Sequence, residues 1–249
     1  MRAMYIIWLR HVKKFARSKV SILGSLGMPF FFLASIGFGL NAIVTIPDTD
    51  ISYLAFIAPG IIAMGILFIS MFGGMQVVWD KRFGFLKNTL VAPVSRTQIM
   101  LGMTIGGATT STLQGFLILL IALALGVTII SVVGLLIAIA FMLLIGVAFT
   151  ALGLAIASRM ENLQSFPYVV NFVIFPIFFL SNALFPLDTL PVWFQYISFI
   201  DPLTYGVDGI RFGLLGLGSI PVGVSFGVLF AFTAAMVLIG ARQFRKIRL

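Results

Sequence analysis

TQIMLGMTIGGATTSTLQGFLILLIALALGVTIISVVGLLIAIAFMLLIGVAFTALGLAIAS, residues 97–158, contains no Asp, Glu, Lys or Arg. A soluble domain carries roughly 25% charged residues along its length, so a stretch this long without one has no water-facing surface. A helix crossing about 30 Å of hydrocarbon needs roughly 20 apolar residues, and this stretch holds two, at about 101–127 and 131–157. The reading extends outward in both directions. Residues 20–79 contain only Asp48 and Asp50, giving spans at about 20–42 and 56–79, and two more apolar runs follow at about 163–183 and 220–241. Of the 249 residues, 61% are hydrophobic and 9% charged, with a mean hydropathy of +1.17. These figures exclude an ordinary soluble enzyme, a nucleic-acid binder and a disordered chain. They predict an all-α polytopic membrane protein with six transmembrane helices in one domain, 1–249.

The formal charge of +9 is confined to short blocks between the apolar runs. Arg2, Arg10, Lys13, Lys14, Arg17 and Lys19 precede the first span. Lys81, Arg82, Lys87 and Arg96 follow the second, Arg159 lies between the fourth and fifth, and Arg242, Arg245, Lys246 and Arg248 come last. With six spans, fifteen of the sixteen cations fall on one side, and Arg211 is the exception. Five of the seven acids (Asp48, Asp50, Asp188, Asp201, Asp208) fall on the other. Flanking cations mark the cytoplasm, so both termini are expected inside a cell membrane. Trp79 and Tyr168 at inner ends, and Tyr53, Trp193, Tyr196 and Tyr205 at outer ones, fit aromatic belts at the two interfaces.

The cationic stretch before the first apolar run reaches Lys19, too far for a cleavable signal. Residues 1–19 instead read as an amphipathic interfacial helix. Arg10, Lys13, Lys14 and Arg17 share one face at i, i+3, i+4, i+7 spacing, and Tyr5, Trp8, Val12 and Phe15 lie opposite. Membrane lipid is the expected partner of this helix. The lone His11 cannot build a metal site and is expected to be solvated or facing headgroups. The pattern Gly102-x-x-x-Gly106 could permit close helix contact.

Several chemistries lack their parts. The middle spans hold no carboxylate for a proton relay, which ion-coupled transporters need. The absence of cysteine excludes thiolate metal sites and a cysteine nucleophile, and there is neither a second histidine nor an intramembrane Asp pair for proteolysis. No G-x-x-x-x-G-K-[ST] loop cradles a nucleotide phosphate. The chain is therefore read as non-enzymatic and without a cofactor of its own. Energy for uphill transport would have to come from a partner.

The loop at 80–96 is the place for one. Charged Asp80, Lys81, Arg82 and Lys87 alternate with Phe83, Phe85, Leu86, Leu90 and Val91, a pattern suited to a short amphipathic helix that Pro93 would stop. Ser95 or Thr97 could cap the next span. This segment resembles the cytoplasmic loop of type-2 ABC transporter permeases, whose usual run is an acid, Arg, Glu, aromatic-Gly-x-Leu, then Leu-Val-x-Pro-Val-Ser-Arg. Asp80, Gly84, Leu86, Leu90, Val91, Pro93, Val94, Ser95 and Arg96 fit, whereas Lys81 is a mild change, Arg82 replaces the usual Glu, and Asn88 stands where an acid is common.

The outer segment at 184–219 carries a second resemblance. Phe185-Pro186 with Pro191 and Trp193 matches the family's Phe-Pro-x-x-x-x-Pro-x-Trp. Asp201-Pro202-Leu203-Thr204-Tyr205 matches its Asn-Pro-Leu-Thr-Tyr, with Arg211 downstream and Asp201 replacing Asn. On their own terms, Asp188 or Thr189 can cap a short helix near Pro191, and Asp201 with Pro202 is a good N-cap and first-turn pair. The intervening apolar residues are too few to span, so a re-entrant hairpin is expected. Asp208 and Arg211, three apart, could pair on one helix face.

The resemblance covers essentially the whole chain and implies a permease subunit of an ABC exporter. It implies a cytosolic ABC ATPase, carrying ATP and Mg, docking on Lys81, Arg82, Phe83, Gly84, Phe85, Leu86, Lys87, Leu90, Pro93 and Arg96. It also implies a second permease copy or paralogue, with no nucleic acid involved. The alternative reading is an uncoupled channel or lipid-organising scaffold.

Overall fold

The computed structural model describes residues 2–41, 51–83, 94–160 and 162–245. Among the described residues every regular element is helical. Helix α1 (Arg2–Arg17) is set off by Ser18, whose φ of −94° and ψ of 66° interrupt the helix before α2 (Lys19–Phe31) begins. Pro29 lies inside α2 and cannot donate to the ladder; the chain relaxes into a π-helical stretch, Phe32–Phe38, just beyond it. Helix α3 (Tyr53–Arg82) follows. Helix α4 (Arg96–Ala124) is capped by Ser95, whose hydroxyl accepts the Gln98 N–H at 3.3 Å, as expected for that serine. Ser131 caps α5 (Val132–Arg159) in the same way through Gly134 N–H at 2.9 Å. Between them Gly126 takes a φ of +103°, a backbone conformation that glycine adopts without strain.

Among the described residues five helices are long and apolar enough to cross a membrane: Lys19–Phe38, Tyr53–Asp80, Arg96–Ala124, Val132–Arg159 and Val222–Arg245. The run expected to form a span at 163–183 is different. It yields a broken helix, α6 (Phe166–Leu180), built from Phe166–Val169, a π-helical Val170–Ile174 and Phe175–Leu180. Pro167 and Pro176 open its two α-helical pieces. At 1.5 Å per residue it reaches about 22 Å, and the 3₁₀ turn Leu163–Ser165 leads directly into it, against the roughly 30 Å of a straight crossing. Of the six expected spans, five are therefore seen as membrane-length helices among the described residues, and the run at 163–183 forms a shorter, broken helix.

Two shorter helices follow, α7 (Val192–Ile200) and α8 (Pro202–Leu215), before α9 (Val222–Arg245). Asp201 accepts the Leu203 N–H at 2.9 Å with Pro202 in the first turn, the expected cap. Helix α7 has no side-chain cap: Pro191 stands at its N-cap, and Thr189 donates to the Pro186 carbonyl within the turn Leu187–Thr189. The expected role of Asp188 or Thr189 is corrected accordingly. Gly216, at φ +70°, ends α8 in the left-handed conformation, where glycine carries no Cβ penalty.

Helix α3 is the centre. Of its apolar window 83% is buried, against 17% for those of α2 and α9, and its most extensive neighbours are α5 and α4. Glycines set the approach. A Cβ on Gly74 would fall 2.6 Å from the backbone N of Leu154 and the carbonyl of Thr150, and one on Gly153 would fall 2.8 Å from the Met71 carbonyl. Helix α8 meets α5 likewise, through Gly213 against Gly134 and through Gly209 against the Phe141 ring. Most of α8 is thereby enclosed by protein.

Gly74→Ala should therefore lower the Tm of the detergent-purified chain, with an overpacking cost of about 1–3 kcal/mol. Gly227→Ala, where nothing lies within 4 Å, should leave Tm unchanged or slightly raised. Thermal unfolding followed by size exclusion checks both.

Candidate functional site at the charged end of the bundle

Helix α1 does not lie loose. One of its faces, formed by Met4, Ile7, Trp8 and His11, packs on α4. A Cβ on Gly102 would lie 3.0 Å from the Met4 carbonyl, and one on Gly106 would lie 2.8 Å from the His11 Cβ. The pattern Gly102-x-x-x-Gly106 thus does permit a close contact, and its partner is α1. Trp8 Nε1 donates to Thr109 Oγ1 at 3.1 Å one turn further along.

His11 is accordingly seated in a helix contact rather than solvated, which corrects the expectation from sequence. Burial lowers its pKa from 6.5 to about 4, helped by the adjacent Arg10 charge and opposed by Asp80. The ring is neutral at pH 7.

Arg10 leaves the same helix sideways and meets Asp80 near the end of α3, with Nη2 3.2 Å from Oδ1 and Nη1 3.4 Å from Oδ2. Asp80 is 6% exposed at its side chain and Arg10 34%. Gln76 Nε2 donates to the same carboxylate at 3.4 Å. A carboxylate this buried requires such partners. Beside it the Trp79 and Phe83 rings stack at 5.9 Å and 11°, both exposed. An open groove of about 420 Å³ runs between Lys14 and this pair.

The base of α4 is tied down from another direction. Arg96 donates to the Arg245 carbonyl at 2.8 Å, Ser158 Oγ bonds Gln243 at 3.2 Å, and the Phe244 ring is buried among Val77, Ile99 and Met100. Of the residues expected to dock a partner, Phe83 and Arg96 are thus placed at this end, and α3 continues through Lys81 and Arg82. Gly84, Phe85, Leu86, Lys87, Leu90 and Pro93 lie outside the described residues, and so does the expected helix there. The four cations Arg10, Lys13, Lys14 and Arg17 line one groove along α1. The contacts made by Trp8, His11 and Arg10 carried no sequence signal beyond Gly102 and Gly106.

At the opposite end Asp208 and Arg211 do not pair. Asp208 accepts the N–H groups of Ser219 (2.8 Å) and Ile220 (3.2 Å), closing the turn between α8 and α9. Arg211 donates to the carbonyls of Asn182 (2.8 Å) and Phe56 (3.4 Å), with its guanidinium 4.0 Å from the Phe56 ring centroid. Tertiary partners capture both groups before the i, i+3 pair can form. Tyr53 is buried and donates to the Leu184 carbonyl at 3.0 Å, while Tyr205 donates to Phe199 at 2.8 Å. Both hydroxyls tie their helices to neighbouring backbone. Trp193 and Tyr196 are exposed on α7, Pro191 immediately precedes it, and Asp188 and Pro186 lie in the turn before.

Together the apolar helices define a multi-pass membrane protein with ordered polar ties at both ends. Residues 2–215 match the ABC-2 type transporter family, and the chain belongs to it. Nodulation protein J of Rhizobium meliloti (strain 1021) is 31% identical over 98% of this chain and 91% of its own length. The inner membrane transport permease YadH of Escherichia coli (strain K12) is 28% identical over 95% of the chain and 92% of its own length. The putative transport permease ycf38 of Cyanophora paradoxa is 28% identical over 85% and 74%.

Two outcomes test this geometry. A double-mutant cycle of Arg10→Gln and Asp80→Asn should give a coupling of about 1–2 kcal/mol in thermal or denaturant unfolding, between the values for exposed and buried pairs. The His11 pKa is depressed on folding, so the unfolded chain binds the extra proton and stability should fall as pH drops from about 6.5 toward about 4. His11→Gln should flatten that part of the Tm-versus-pH curve.

Proposed function

We propose that the chain is the membrane subunit of an ATP-driven exporter, whose energy enters at the charged end from a separate cytosolic ABC ATPase that binds ATP and Mg. The carrying observation is the Arg10–Asp80 pair, which joins α1 to the foot of the 80–96 loop. A push on that loop would therefore reach α1, and through His11 on Gly106 it would reach α4. Trp79 and Phe83 offer exposed aromatic surface beside the pair, suited to an apolar partner contact. Because Asp80 is engaged by Arg10 and Gln76, the acid that the motif retains serves an internal tie.

The positive-inside count supports placing this end and both termini in the cytoplasm. In that arrangement the broken α6 makes the sixth crossing together with its flanking residues, and α7 and α8 form the outer hairpin, with Pro186, Asp188, Pro191, Trp193, Asp201, Pro202, Tyr205, Asp208 and Arg211 shaping and anchoring it. The mostly unburied α2 and α9 present apolar surface to lipid and to a second permease copy or paralogue. An apolar groove of about 150 Å³ between α2 and α3, lined by Met28, Pro29, Met64, Phe68 and Phe72, suits hydrophobic or amphipathic cargo.

A gentle detergent pull-down of the tagged chain, co-expressed with its ATPase, should recover vanadate-sensitive ATP hydrolysis. Deleting Phe83–Leu86 should abolish recovery of the ATPase while membrane insertion persists. Undiminished association after that deletion would overturn the docking assignment, and flux without ATP from reconstituted vesicles would favour the channel or scaffold.

A further inference from the structure

The groove along α1 has an unusual construction. Its volume is about 730 Å³, and it is lined along α1 itself by Arg10, Lys13, Lys14 and Arg17 interleaved with Ile6 and Leu9. It runs to Ser18, where the helix breaks and the membrane-length α2 begins. Arg10 is already engaged by Asp80, and that is the one ion pair among the described residues. Lys13, Lys14 and Arg17 concentrate positive charge beside that pair, and among the described residues none of the three is ion-paired with an acid.

The position of the groove selects its occupant. Immediately past Ser18, Val20 and Leu23 on the first turns of α2 are 85% and 71% exposed. A basic helix face thus adjoins bare apolar surface at the start of a membrane-length helix. We infer that this elbow is a binding site for the phosphate of an anionic phospholipid, with the cations of α1 holding the headgroup and an acyl chain lying along Val20 and Leu23. Charge complementarity and this continuity of basic and apolar surface argue for lipid. An acidic peptide would satisfy the cations but leave Ile6, Val20 and Leu23 uncovered. A zwitterionic lipid brings its own ammonium against three cations.

The inference requires only that the chain spans a membrane and is independent of ATPase docking. Because the groove shares Lys14 with the cleft beside Asp80, an occupied elbow would also stiffen the α1–α3 connection.

The test is native mass spectrometry of the purified full chain in nonionic detergent, titrated with dioleoyl phosphatidylglycerol or dioleoyl phosphatidylcholine. The phosphatidylglycerol should be retained selectively. Each cation near an anionic lipid contributes about 1 kcal/mol, so Lys13→Gln with Arg17→Gln should weaken retention about 30-fold. The charge-conserving pair Lys13→Arg with Arg17→Lys should retain the lipid, and Arg159→Gln with Arg242→Gln, which removes as much charge elsewhere, should leave retention unchanged. Equal retention of the two lipids by the wild-type chain would overturn the site, whatever the variants do. So would equal losses in the two Gln pairs, which would indicate diffuse attraction. Unaltered phosphatidylglycerol binding with weakened ATPase capture in the first pair would assign the groove to an acidic protein segment instead.

Discussion

Backbone-to-backbone approach at glycine is the constraint on which the bundle depends. In lipid there is little hydrophobic force to bring apolar helices together, and association relies on close packing and on hydrogen bonds. Gly74 and Gly153 bring α3 against α5, Gly107 brings α4 against Thr150, and Gly134 with Gly213 brings α8 against α5. A side chain at any of these positions would meet atoms at separations that ordinary Cβ contacts do not reach. The central burial of α3 follows, and its two ends become the places where polar ties are assembled.

Those ties differ in kind. At one end Arg211 has no direct carboxylate partner among the described residues and fastens carbonyls at Phe56 and Asn182, so it clamps the start of α3 to the chain beyond α6. Asp208 meanwhile holds the turn before α9. At the other end a buried carboxylate, Asp80, meets a half-exposed guanidinium. This pair converts α1 from a helix merely resting on lipid into one connected to the foot of the loop. A clamp at one end and a connected α1 at the other are the mechanical elements that the proposed coupling draws on.

Much of this was legible in the residues, because apolar length and charge position are one-dimensional properties. The uncharged run 97–158 gives two long helices, Ser95 and Asp201 cap where their chemistry predicts, and Gly102 and Gly106 announce a close contact. The basic face of α1 is a matter of spacing alone. What failed depended on tertiary geometry. Asp208 and Arg211 have the spacing of a pair, but each finds closer partners on other elements. His11 sits in a basic segment that suggests headgroups, yet it is the residue that meets Gly106. The apolar count at 163–183 gave no weight to Pro167 and Pro176, and these two residues open the two α-helical pieces of the broken helix found there.

In the proposed coupling, α1 and the foot of the 80–96 loop move as one unit when a partner ATPase turns over. The chain contains no cysteine, so two can be introduced without background. Spin labels on Lys14→Cys and Phe83→Cys report the distance across the groove between the two elements, in the nucleotide-free and the vanadate-trapped complex. The account predicts the same distance distribution in both states, while a label pair placed between Lys14→Cys and the outer end of α9 shifts. Separation of Lys14 from Phe83 on trapping would contradict it, because the Arg10–Asp80 connection would then break during the step it is meant to transmit.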